Sequence, residues 1–189
     1  MDSKEKWNSK YKERLLKNEE PLPNKRLEEL STYLNGGEAL DLACGLGGNS
    51  MFLANIGYQV EAVDISDKAI GYLQLQSEKK QLAIHPRMAD LTDRWSLNYL
   101  KNSFDLVVIT YYLDRSLFPM VKTILKENGY FFMETFYLSP TNEQKVSNQY
   151  KLKPNELLKE FGNWNVLFYE ENEWEGRQTI FCRKSFSGK

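Results

Sequence analysis

The segment Glu38–Ser50 (Glu-Ala-Leu-Asp-Leu-Ala-Cys-Gly-Leu-Gly-Gly-Asn-Ser) constrains this chain more than any other. Ala39–Ala43 is a short apolar run that reads as a buried strand, and the glycines at 45, 47 and 48 break it at once. Asn49–Ile56 then sets Met51, Phe52, Leu53 and Ile56 on a helix that stops at Gly57. A buried strand, a glycine turn and a helix in direct succession open an α/β unit.

The rest of the chain continues that alternation. Upstream, Asn24–Leu34 carries Leu27, Leu30 and Leu34 at helical spacing and ends at Gly36-Gly37. Downstream, Gln59–Val63 predicts a second strand, and Ser66 caps a helix that runs to about Lys80. Ala83–Ala89 is a weaker third strand, placed at a sheet edge by Pro86, which has no N–H to donate. Phe104–Thr110 (FDLVVIT) is continuously apolar, as a parallel strand covered on both faces should be. Ser116–Leu125 predicts a helix, Asn128-Gly129 a turn and Tyr130–Thr135 a fifth strand. Pro154 opens a short helix, and Trp164–Tyr169 and Gln178–Arg183 flank the polar stretch Glu170–Arg177 as an antiparallel hairpin. The expectation is an α/β, three-layer αβα sandwich with a seven-stranded, mostly parallel sheet. Residues 25–189 form its single domain, and residues 1–24 a helical or lid segment ahead of it.

Composition narrows the partners. Lys and Arg number 25 against 26 Asp and Glu, a net charge of −1, so the chain lacks the basic surplus that nucleic acid or an acidic membrane demands. Cys44 and Cys182 stand far apart and belong to no CxxC pair, which argues against a disulfide framework and a structural metal. Met1–Glu20 is polar and lacks a signal peptide's apolar core, and no run approaches the ~20 apolar residues of a membrane span. The expected compartment is the cytoplasm.

Ligands of such folds bind in the loops beyond the carboxyl ends of the strands. Gly45 and Gly47 permit close approach of a ligand to the backbone, and Asp64, 19 residues beyond Gly45, is spaced to accept hydrogen bonds from ribose hydroxyls. A bare structural turn with Asp64 as a helix cap is the plainer alternative. A dinucleotide site is the sharper one, with Ser50 closing a GxGxxG-like pattern. Against phosphate stands Asp41, an acid just before the turn; a ligand with an ammonium and a sulfonium would gain from it instead. Asp90, in Ala89-Asp90-Leu91, ends the third strand where a carboxylate can accept from an adenine amine. Three acidic strand ends point to S-adenosylmethionine, held by Asp41, Ala43, Cys44, Gly45, Gly47 and Asn49, by Asp64 and Ile65, and by Ala89, Asp90 and Leu91.

The motifs carry a family resemblance. Leu40-Asp41-Leu42-Ala43-Cys44-Gly45-Leu46-Gly47 resembles the first motif of Rossmann-like class I methyltransferases, and Val63-Asp64-Ile65-Ser66 their second. Ala89-Asp90-Leu91, Phe104-Asp105-Leu106-Val107 and Lys126-Glu127-Asn128-Gly129-Tyr130 are similar to the later ones, so the likeness runs over roughly residues 25 to 183. Ala43 departs from it, standing where glycine is common. Gly47-Gly48-Asn49-Ser50, Ala54–Val60, Leu152–Leu158 and Trp164 resemble the tellurite-resistance and thiopurine-methyltransferase-like group, which implies small, soft or unusual acceptors.

That resemblance gives further residues expected roles. Trp7 and Tyr11 share one helical face and would either anchor the terminal helix or cover the cofactor and face the acceptor. Thr110 and Tyr111 follow the fourth strand, where related enzymes line the methyl-transfer site, and Arg115 would pair with an anionic acceptor. At the end of the fifth strand Glu134 is a candidate base or else a carboxylate that only binds a backbone amide, and Asp114 is a helix cap. His85, the single histidine, reads as structural or solvated, and Cys44 as a packing residue. The implied reaction is in-line methyl transfer to a small-molecule acceptor, since the one insertion, Tyr137–Lys153, is short. A sensor that binds the cofactor without turnover is the first alternative. A nicotinamide-dependent oxidoreductase is the second, and it would need a substrate domain that this chain lacks.

Overall fold

The computed structural model describes residues 2–93, 97–141 and 145–185. They gather into two compact units, Met1–Asn98 and Tyr99–Lys189.

The first unit opens with helix α1 (Ser3–Leu16), followed by α2 (Lys25–Glu29) and a 3₁₀ turn, Leu30–Tyr33. Strand β1 (Gly37–Leu42), helix α3 (Gly48–Asn55), strand β2 (Tyr58–Asp64), helix α4 (Asp67–Lys80) and strand β3 (Ile84–Met88) complete it. Helix starts follow local chemistry. The Asn24 side chain accepts from the amides of Arg26 and Leu27, and the Ser66 hydroxyl accepts from the amide of Ala69. β1 pairs in parallel with β2, and β2 in parallel with β3. Pro86 therefore lies in an edge strand, where its missing N–H costs nothing.

The second unit holds β4 (Phe104–Thr110), α5 (Leu117–Ile124), β5 (Leu125–Phe136), α6 (Glu156–Phe161), β6 (Asn165–Asn172) and β7 (Arg177–Arg183). The whole sheet has seven strands in the order β3-β2-β1-β4-β5-β7-β6, with β7 antiparallel to both β5 and β6. The fully buried Phe131, Phe132, Phe161 and Phe181 fill the core of this unit. Their burial is a main source of its stability, at about 2–3 kcal/mol per aromatic or aliphatic side chain.

Two boundaries differ from expectation. Asn128-Gly129 is not a connection between α5 and β5, because the strand already begins at Leu125. The turn is a kink inside the strand: the pairing register with β4 shifts between Phe104 and Leu106, and Asn128 adopts a left-handed φ of 63°. Lys126 there reaches across to the Asp105 carboxylate at 2.8 Å. The hairpin arms are also longer than their apolar runs, with β6 continuing through Glu170 and Glu171 to Asn172. Glu171 stays in the strand because it accepts hydrogen bonds from the Tyr169 hydroxyl and the Gln178 amide group. No described helix is long and apolar enough to cross a membrane.

Candidate functional site

The turn after β1 has unusual backbone throughout. Ala43, Gly45 and Gly47 have φ of 57°, 55° and 83°, all left-handed. At Ala43 this costs about 1 kcal/mol, which is a physical reason for glycine to be common at that motif position. Gly47 is dictated by packing, since a Cβ there would lie 2.3 Å from Cδ1 of Leu73 on α4. What approaches Gly45 is a protein side chain: a Cβ would meet the Tyr11 hydroxyl at 3.0 Å. Asn49 turns its side chain to the backbone, accepting from the Asn24 amide at 2.7 Å.

Asp41 is wholly buried in β1. Its Oδ2 accepts from the Ser50 hydroxyl at 2.6 Å, and its Oδ1 has no hydrogen-bond partner among the described residues. Burial pushes its pKa up to about 7, opposed by the Ser50 bond and reinforced by the Asp64 charge. Cys44 extends the ladder through its amide to the Val63 carbonyl, and burial, then Asp41 and Asp64, hold its thiol well above the usual range. A thiol so placed is a packing group.

Asp64 ends β2 only 4% exposed. Its two oxygens accept from the amides of Gly45 and Ser66, each at 2.9 Å. Burial raises its pKa against those bonds. Trp7 stacks on Tyr11 with ring centroids 5.6 Å apart, and Tyr11 packs against Leu46 and Ala69. Beside them Ile65, Met88, Ala89 and Asp90, with Asp2 and Lys4 of the N-terminal segment, line a cavity of about 200 Å³. Asp90 accepts from the amide and hydroxyl of Thr92, while Leu91 is buried. Asp2 and Lys4 went unnoticed in the sequence because a polar lead segment has no periodicity to single them out.

In the second unit, Thr110 is the last residue of β4 and pairs with Glu134 on β5. Tyr111, just beyond, has a left-handed φ of 56°, and its amide donates to the Glu134 carbonyl at 2.8 Å. The Glu134 side chain is wholly buried and gathers three donors: the Tyr111 hydroxyl at 3.0 Å, the Thr179 hydroxyl at 2.8 Å and Nη1 of Arg177 at 3.4 Å. Arg177 also donates to the Tyr111 hydroxyl at 3.1 Å and stands 5.0 Å from its ring centroid. Its buried Nε has no partner among the described residues. Glu134 thus positions a tyrosine and an arginine. Arg177 and Thr179 were not singled out from the sequence, where the only signal is a polar pair, Gln178-Thr179, entering an apolar strand.

Arg115 stands apart from this cluster. Its guanidinium pairs with both oxygens of Glu156 and donates to the Lys151 carbonyl at 3.2 Å, tying the α5 approach to α6. Asp114 accepts from the Ser116 amide, as a helix cap does. His85 lies exposed on β3, and Trp174 is 85% exposed in the hairpin turn. No group of three His, Cys, Asp or Glu residues able to hold a metal occurs among the described residues.

A sheet of order 3-2-1-4-5-7-6, with a glycine turn after its first strand and an antiparallel β7, defines a Rossmann-like methyltransferase fold. The chain belongs to the TehB family: the model described as tellurite resistance protein TehB matches residues 18–180. A curated relative from Haemophilus influenzae, called a probable S-adenosyl-L-methionine-dependent methyltransferase TehB, is 27% identical over 149 residues, covering 75% of this chain and 51% of its own. The chain therefore spans about half the length of the curated relatives it matches. The crystal structure of TehB from Haemophilus influenzae superposes with a TM-score of 0.75 at 22% identity, covering 86% of this chain and 62% of that one. The geranyl diphosphate C-methyltransferase of Streptomyces coelicolor A3(2), solved with S-adenosyl-L-homocysteine, superposes at 0.67 with 15% identity, covering 85% and 76%.

Proposed function

We propose that this chain is an S-adenosylmethionine-dependent methyltransferase acting on a small-molecule acceptor. The observation that carries the reading is Asp41: a buried carboxylate whose Oδ1 has no donor among the described residues, at the foot of a left-handed glycine turn. Such a group calls for a cationic donor, and it disfavours phosphate. The relatives' names supply the matching cofactor, which presents an ammonium to the protein and a methyl group already activated on a sulfonium.

The residues of the first unit divide the binding work. Asp41 would meet the ammonium, and the 43–49 turn the amino-acid part. Asp64 would accept from the ribose hydroxyls and Asp90 from the adenine amine, the base entering the cavity beside Ile65 and Ala89. That cavity falls below the ~300 Å³ at which drug-sized ligand sites begin, so it suits the base and not the whole cofactor. Tyr111 and Arg177 are the groups offered to the acceptor, held by Glu134. A guanidinium there favours an anionic or electron-rich acceptor, and the family's name makes tellurite one to include. Rate acceleration would come from alignment, with no metal and no obligatory base.

Titration calorimetry with S-adenosylmethionine, S-adenosylhomocysteine and NAD tests the cofactor. Micromolar binding of the first two and none of NAD is expected; NAD binding alone would refute the reading. Transfer of radiolabelled methyl to a panel of thiols, selenite and tellurite then separates an enzyme from a sensor.

A further inference from the structure

We propose that Glu175 is a charge filter on the acceptor: it sets a second carboxylate against the Arg177 guanidinium, so that the arginine offers a hydrogen bond without a surplus of positive charge. This rests on the assignment of Tyr111 and Arg177 to the acceptor, and it selects among the acceptors that assignment allows.

Two carboxylates share one nitrogen of Arg177. Its Nη1 lies 3.4 Å from Oε1 of the buried Glu134 and 3.5 Å from Oε2 of Glu175. The same nitrogen donates to the Tyr111 hydroxyl at 3.1 Å. Glu134 alone matches the arginine charge for charge, so with Glu175 the group carries a formal surplus of negative charge. The bonds to Tyr111 and Glu134 leave from Nη1, and Nε is buried. Nη2 is the donor that remains for a ligand.

Glu175 is delivered by a braced turn. Residues 173–176 join β6 to β7. The Glu175 amide donates to Oδ1 of Asn172 at 3.0 Å, and Gly176 completes the turn with a left-handed φ of 62°. The segment after β5 ties the turn down. The Tyr137 amide donates to the Gly176 carbonyl at 3.1 Å, and the Ser139 and Thr141 hydroxyls donate to the Glu173 carbonyl at 2.8 and 3.0 Å. The backbone that carries Glu175 is therefore fixed beside Arg177.

For folding the pair matters little, because partly exposed ion pairs contribute little to stability. Its effect falls on a charged ligand. An anion accepting from Nη2 would sit about 6–8 Å from the Glu175 carboxylate, where repulsion in a half-solvated site lowers affinity roughly three- to tenfold. An uncharged nucleophile accepts the same hydrogen bond and meets no such penalty. The site then favours an uncharged, electron-rich acceptor over an oxyanion.

Two substitutions test this. Glu175→Gln removes the charge and keeps the side-chain shape; Glu173→Gln removes a charge two residues away in the same turn. Selenite and tellurite binding is measured by calorimetry, with and without S-adenosylhomocysteine. The filter predicts that Glu175→Gln tightens binding of both oxyanions roughly three- to tenfold at low salt, an advantage lost at about 0.5 M salt. Glu173→Gln should gain less than about twofold. Equal affinity in Glu175→Gln and the wild type would overturn the proposal. An equal gain from Glu173→Gln would overturn it too, since the effect would then be one of overall surface charge. If Glu175→Gln binds neither oxyanion, Arg177 is not an anion donor and the filter falls with that assignment. Failure to bind S-adenosylhomocysteine would strike the cofactor reading alone, because the anion titration also runs without it.

Discussion

Replacing Asp41 by Asn should change how stability depends on pH more than it changes stability at any single pH. Burial raises the Asp41 pKa from an ordinary 3.8 to about 7, so the folded state keeps its proton where the unfolded chain has lost it. Below about pH 4 the group is protonated in both states and carries no penalty. Between pH 4 and 7 the unfolded chain ionises first, and folding is progressively penalised; above pH 7 the penalty is constant. At about 1.4 kcal/mol for each pH unit of that window, the full loss is about 4 kcal/mol. The carboxamide of the Asp41→Asn variant does not titrate and escapes the ramp, although its nitrogen meets no described partner at the Oδ1 position, a fixed cost of about 1–3 kcal/mol. Urea denaturation of both proteins at pH 4.5, 5.5, 6.5 and 7.5 gives the difference directly. The stability of the Asn variant minus that of the wild type should climb by about 3–4 kcal/mol across that range with unchanged m values. A difference flat to within 1 kcal/mol would refute the buried, proton-holding Asp41. The same proton links to the ligand. If Asp41 meets the cofactor's ammonium it must ionise on binding, so affinity should rise with pH up to about 7, and Asp41→Asn should flatten that rise.

Other substitutions separate fold from site. Gly47→Ala places a side chain in left-handed backbone and against Leu73, and should cost about 3 kcal/mol, read by chemical denaturation. Glu134→Ala strips a buried carboxylate from Arg177, Tyr111 and Thr179; a loss of about 3 kcal/mol and a broadened thermal transition are expected. Arg177→Met should lower kcat/KM for an anionic acceptor roughly 10- to 100-fold while leaving S-adenosylhomocysteine affinity within twofold by calorimetry. Arg115→Ala breaks a partly exposed ion pair with Glu156, and its stability change should stay at or below about 1 kcal/mol.

The alternation of elements was legible because each signal is local. A glycine turn, a Ser66 cap and a continuous FDLVVIT run each declare themselves within a few residues. The start of β5 did not, because Lys126, Glu127 and Asn128 are polar and Asn-Gly reads as a connection; what keeps them in the strand is a register shift against β4. The cluster of Tyr111, Glu134 and Arg177 was half legible for the same reason. Tyr111 directly follows β4 and Glu134 lies near the end of β5, so both could be named from position alone. Arg177 lies 43 residues beyond Glu134 and joins it only because β7 inserts antiparallel between β5 and β6, setting Thr179 opposite Glu134. No periodicity in the chain encodes that register. Arg115, by contrast, was named for its place after β4, but Glu156, the first residue of α6, pairs with it.

The two buried acids of the first unit are handled differently, and the difference should separate in experiment. Both resist ionisation because burial removes their water. Asp64 is relieved from within, by the amides of Gly45 and Ser66. Asp41 has Ser50 on one oxygen and no described donor on the other, so a cation there displaces nothing. Protons released on binding should then be traceable to Asp41. Asp41→Asn should abolish that release. Calorimetry in buffers of differing ionisation enthalpy reads it. Proton release unchanged by Asp41→Asn would refute this separation of the two carboxylates.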